Sequence, residues 1–127
     1  GGGGGGAGGA VKISDAEICK WANAKVAAAG KSEHISSFKD KSIGSGQFLL
    51  ALLAAIEPRV VDASIVTSGE SDDDKALNAK YVLSVARKLG AAVFLTWEDI
   101  VEVKPKMVMT LVASLQLIAE LRGREHK

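Results

Sequence analysis

Apolar residues recur at three- and four-residue steps in four separated stretches, and that spacing predicts four helices. The first stretch, ISDAEICKWANAKVAAAGK (13–31), aligns Ile18, Trp21, Ala22, Val26 and Ala29 along one stripe. Ser14 or Asp15 can cap it, Asp15 and Glu17 suit its positive end, and Gly30 can terminate it. The second, GQFLLALLAAIEP (46–58), is apolar on nearly every side at Phe48, Leu49, Leu52, Leu53 and Ile56. Such a helix belongs at the centre of a fold, and Pro58 stops it. The third, SDDDKALNAKYVLSVARKLG (71–90), pairs Ser71 with Asp74 in a capping-box arrangement and ends on Arg87, Lys88 and Gly90. Leu77, Tyr81, Val82, Val85 and Leu89 are its expected buried side. The last begins at Pro105, a favoured first-turn residue, and offers Val108, Leu111, Val112, Leu115 and Ile118 to the core before fraying into RGREHK.

The connections carry no alternating pattern that would build a sheet. Residues 32–46 read as loop, with Ile35, Phe38 and Ile43 as apolar plugs, and Val60, Val61, Ile65 and Val66 cover the core in the next connection. AAVFLTWEDIVE is expected to be extended and then to turn. The opening GGGGGGAGGA buries no side chain, so residues 1–10 read as a flexible linker or appended tail. Residues 11–122 read as one domain and 123–127 as a disordered tail. The predicted class is all-α: four main helices plus short connecting helices or turns.

Composition narrows the function. Sixteen basic and 15 acidic residues leave a net charge of +1, so nucleic acid is not an expected partner. Charge is uneven: +2 over residues 1–60, −4 over 61–103 and +3 over 104–127. The apolar runs at 48–56 and 107–119 are too short or too interrupted for membrane insertion. With one cysteine, Cys19, and no secretory pattern, the expected setting is the cytoplasm.

Catalytic chemistry is hard to assemble. Asp72, Asp73 and Asp74 are consecutive and lack the later carboxylate of a calcium loop, so helix capping explains them better. His34 and His126 have no Cys or His at zinc spacing. SIGSGQ lacks the Lys-Ser/Thr of a phosphate loop. Cys19 flanks the first stripe as a small, partly buried residue. Asp99 and Glu102 read as a solvated pair on a turn. The expectation is no enzyme, no cofactor and no metal.

Taken in order, the Trp-bearing first helix, the Gly46–Leu53 helix, Asn78 opening the apolar part of the next helix, and the turn from Asp99 to Lys106 resemble a calponin-homology domain over residues 13–121. The likeness is greatest to the last such domain of the fimbrin (plastin) family, with NAKYVLSVARKLGA and EDIVEVKPKMVMT the most similar segments. Ser45 stands where many members have Asp, and Trp97 where Pro or a small turn residue is expected. The resemblance implies F-actin binding by surface contact, in the cytoplasmic actin cytoskeleton, as the second domain of a tandem pair in an actin-bundling protein. It implies a monomeric domain that is weak alone. It places the contact on the first helix, at Lys20, Asn23 and Lys25, with Lys31 beyond. The competing readings are the plain polar face of an amphipathic helix, and an adapter for a microtubule or signalling partner. The residues expected to hold the core are Trp21, Phe48, Leu52, Leu53, Tyr81, Val85, Leu111 and Leu115.

Overall fold

Most of the helices start where a side chain or a proline deals with the free N–H groups at a helix start. Ser14 Oγ accepts from the Glu17 N–H at 3.3 Å and opens α1, Asp15–Ala28. Gly46, at φ +81°, turns the chain into α2, Gln47–Ile56. Ser71 Oγ accepts from the Asp74 N–H at 3.1 Å and opens α3, Asp72–Leu89. The Asp99 carboxylate accepts from the Thr96 N–H at 3.1 Å ahead of the short α4, Trp97–Val101. Pro105 opens α5, Pro105–Glu125. The computed structural model describes residues 14–125, and among them it holds these five helices, three 3₁₀ turns (Lys41–Ser45, Pro58–Val60, Ala63–Ile65) and no strand. The expected linker at 1–10, and His126 in the expected tail, lie outside the described residues.

The core is built around α2. Phe48 to Leu53 are six successive buried residues, which only an element covered on all sides can accommodate. α1 and α3 flank it, and α5 crosses α1. The expected plugs Ile35, Phe38 and Ile43 are buried, as are Val108, Leu111, Val112 and Leu115 on α5. Of the eight residues expected to hold the core, Phe48, Leu52, Leu53, Val85, Leu111 and Leu115 are sealed from solvent.

Trp21 and Tyr81 correct the reading. Both pack against the core yet remain half-buried. At about 100° per residue, Trp21 falls roughly 60° beyond Ile18, at the edge of the buried stripe. The Tyr81 ring leans outward because its hydroxyl serves the 57–66 connection, accepting from the Asp62 N–H at 2.7 Å and donating to the Val60 carbonyl at 3.3 Å. Leu77, Ile65 and Ala29 are exposed rather than buried. The buried side of α3 is instead Asn78, Ala79, Val82, Leu83, Val85 and Ala86, and Leu77 lies nearly opposite its midline. α5 also does not fray at Arg122. It continues through Glu125, with the Arg122 guanidinium on the Glu57 carboxylate at the end of α2.

Among the described residues, Asn78 is the one polar side chain sealed in the core. Its Oδ1 accepts from the Thr67 N–H at 2.9 Å, and its Nδ2 donates to the Ser45 carbonyl at 2.8 Å and the Thr67 carbonyl at 3.1 Å. Backbone groups of two irregular segments, which no helix ladder satisfies, thus close on one amide. Gly46 makes this possible: a Cβ there would lie 2.6 Å from the Asn78 Cβ.

Candidate functional site

The resemblance places the candidate contacts on α1 and just beyond it, and the fold sorts them into different roles. Ile18, Cys19, Ala22 and Val26 face inward. Lys20 is exposed on the outward side, where its neighbours are Glu17, Ala24 and Ala27. Lys25 is half-buried at one margin, roughly 140° around the helix from Lys20. Lys31 is exposed just past the left-handed Gly30, its N–H bonded to the Val26 carbonyl at 3.2 Å. The four candidates therefore do not form one face.

Asn23 has a different task. Its Nδ2 donates to the Ile35 carbonyl at 2.7 Å and its Oδ1 accepts from the Ile35 N–H at 3.0 Å. Both ends of the amide are occupied, because Ile35 is buried in an irregular segment where no helix or sheet ladder satisfies its backbone N–H and carbonyl. Asn23 ties the 32–40 loop to α1 and so sets the surface beyond the helix, rather than offering a free amide. The nearby Cys19 thiol donates to the same carbonyl at 3.8 Å. Burial, foremost, pushes the Cys19 thiol above its ordinary value, which favours the thiol over the nucleophilic thiolate.

Lys31 stands at the rim of a cleft of about 340 Å³ between the loop after α1, α2 and the 61–68 connection. Leu50, Ala51 and Val66 line its floor, and Glu33 and Gln47 its polar side. Elsewhere the ionised groups serve the backbone. The Ser42 N–H holds the Asp40 carboxyl below the usual range, the Arg59 N–H does so for Glu57, and the Ser64 hydroxyl for Asp62. Lys104 lies 3.7 Å from Asp99 and 3.6 Å from Glu102, which explains that acidic pair. Trp97 packs half-buried beneath Lys80, whose Nζ lies 5.0 Å from the ring centroid. Val103 ends α4 with φ 56°, a costly conformation for a β-branched residue, against Gly44, whose missing side chain leaves it room. Among the described residues no three His, Cys, Asp or Glu side chains gather as a metal site. None of the described helices is long and apolar enough to cross a membrane.

Five helices, with α2 buried at the centre, the Asn78 clasp and the Asp99–Lys106 turn define a calponin-homology domain. The calponin homology (CH) domain model matches residues 12–120, and the chain belongs to that family. It is closely related to the fimbrins and plastins. It is 59% identical to Fimbrin-3 of Arabidopsis thaliana over 103 residues, 81% of this chain and 14% of that protein. It is 49% identical to Plastin-3 of Homo sapiens over 105 residues, 82% of this chain and 17% of that one. The solved actin-crosslinking core of Schizosaccharomyces pombe fimbrin superposes with a TM-score of 0.78 at 41% identity, covering 84% of this chain and 22% of that core. The chain thus spans about a sixth of the length of the curated relatives it matches. As a member of this family it is a non-catalytic domain.

Two features of the site escape the sequence. The Asn23 clasp joins residues 12 apart through a loop with no regular structure, and the cleft beside Lys31 forms only when three segments meet. An Asn on the polar margin of a helix ahead of a long loop is the sole hint of the first.

Proposed function

We propose that this domain binds actin filaments as the second calponin-homology domain of a tandem pair, the fourth and last of a fimbrin-type bundling protein. The observation that supports this is the likeness along nearly the whole described fold to proteins named fimbrin and plastin, one of them solved as an actin-crosslinking core. Contact is made without chemistry, through the outward side of α1 and the turn beyond it. Lys20 and Lys31 are the cations offered to an acidic filament surface, Lys25 flanks them, and Asn23 holds the loop that shapes the far end. One domain presents a small part of the interface, so it is monomeric and binds weakly alone, and the tandem pair gains by linkage. The setting is the cytoplasmic actin cytoskeleton.

Cosedimentation with actin filaments at low salt tests the reading. The tandem pair should pellet with filaments, the isolated domain little or not at all. Lys20→Glu with Lys31→Glu in the pair should weaken pelleting several-fold and leave the melting temperature alone. A wild-type pair that stays in the supernatant at low salt rules the reading out.

A further inference from the structure

From Lys80 to Trp97 the chain holds three cations, Lys80, Arg87 and Lys88, and no acid, inside a stretch that is otherwise acidic. α3 sets all three on its exposed side. At about 100° per residue, Lys80, Ser84, Arg87 and Lys88 fall within an arc of roughly 100°. Among the described residues none of the three cations pairs with a carboxylate. Past the left-handed Gly90 the chain doubles back along α3, and Trp97 marks its return, with Lys80 Nζ 5.0 Å from the ring centroid. Residues 91–96 therefore run beside the last turns of α3. In such a run neighbouring side chains point to opposite sides, so the buried Leu95 turns Phe94 outward. Phe94 is 75% exposed, more than any other large apolar side chain among the described residues. An uncovered aromatic thus projects beside three exposed cations.

We propose that this patch is a peripheral docking surface for an anionic lipid bilayer. Phe94 enters the headgroup–acyl boundary, and Lys80, Arg87 and Lys88 meet the anionic headgroups. One aromatic and three cations give a weak, reversible and salt-sensitive contact, and no helix enters the bilayer. A projecting ring offers a peptide no groove to lie in, whereas a lipid surface yields around it. α1 and α3 flank α2, which sets this patch apart from the α1 surface proposed for the filament and leaves both contacts open to one domain.

The test is cosedimentation of the 127-residue chain with sucrose-loaded vesicles at low salt, made of phosphatidylcholine alone or with about a third phosphatidylserine. The chain should pellet with the anionic vesicles about tenfold more than with the neutral ones, and salt at about 0.3 M should release it. Phe94→Ser, and separately Arg87→Gln with Lys88→Gln, should each lower the bound fraction about threefold or more. The melting temperature should move by no more than about 2 °C, since these side chains are exposed. Phe94→Trp should keep the binding, and brominated lipid should quench its added fluorescence. Lys20→Gln with Lys31→Gln removes the same charge from the other side of the domain and should leave pelleting nearly unchanged. No preference for anionic vesicles overturns the proposal. So does a loss as large from the Lys20 and Lys31 pair, which would make the contact diffuse attraction to net charge. Phe94-dependent capture of a Glu-rich peptide, without vesicle binding, would assign the patch to an acidic protein instead. No actin is present, so the result is independent of whether the tandem pair pellets with filaments.

Discussion

Replacing Asn78 by Ala should remove more stability than any other single polar deletion in the domain. The substitution takes away three hydrogen bonds, at 2.8, 2.9 and 3.1 Å, and keeps the Cβ that packs on Gly46. A hydrogen bond contributes about 1 kcal/mol net, and a buried group left without a partner costs about 1–3 kcal/mol. The Ser45 carbonyl and Thr67 N–H lose their side-chain partner in a half-buried place where water repairs the loss only in part. Three bonds at the net value, with partial hydration, come to about 3 kcal/mol. For a domain of this size that shifts a urea midpoint by roughly 1.5–2 M at unchanged slope. Leu77→Ala on the same helix is the control, since a side chain 55% exposed should cost no more than about 0.5 kcal/mol. Asn78→Asp should be worse than Ala above the carboxyl's pKa, because a charge would face two carbonyl oxygens. A loss below about 1 kcal/mol for Asn78→Ala would refute the clasp as a stabilising element.

Three further outcomes follow from the same geometry. Trp21→Ala should cost about 2 kcal/mol, below the roughly 3–5 kcal/mol of a sealed aromatic, and the shift in the denaturant midpoint measures it; a loss near 5 kcal/mol would put Trp21 inside the core. Gly46→Ala should destabilise by about 2 kcal/mol or more, because the backbone there is left-handed at φ +81° and the new methyl would meet the Asn78 Cβ; thermal melting at or above the wild-type temperature would contradict this. Stability should be flat from pH 7 to about 5 and decline below about 4. The Asp40, Glu57 and Asp62 carboxyls sit lower in the folded chain than in the unfolded one, so their contribution is present above the unfolded values and lost as pH falls through the folded ones. A urea midpoint constant down to pH 3 would dismiss those turn-capping carboxylates.

The parts of the fold legible in the sequence are those whose cause is local. Ser14, Ser71, Gly90 and Pro105 mark helix ends because they act on their own first or last turn. The buried side of α3 was only half legible. Ala79 and Ala86 carry little hydrophobic signal, and Leu77 carries a strong one on the side that nothing covers. Whether Tyr81 faces in or out depends on where the 57–66 connection lies, which is a tertiary fact. The same limit applies to the candidate site. Lys20 reads as exposed from its helical position, whereas the engagement of Asn23 depends on a loop folding back across it.

The crossing of α1 by α5 bears on how the chain is made. The first and last helices are neighbours in space, and Glu57 meets Arg122 across 65 residues of sequence. Until α5 has left the ribosome, the flank of α1 that it covers, including Ile18, stays open. Nascent fragments ending before Pro105 should therefore remain bound by chaperones and sensitive to protease, and become resistant together once the final helix arrives. Protease resistance gained in one late step, rather than helix by helix, is the expected outcome of that experiment.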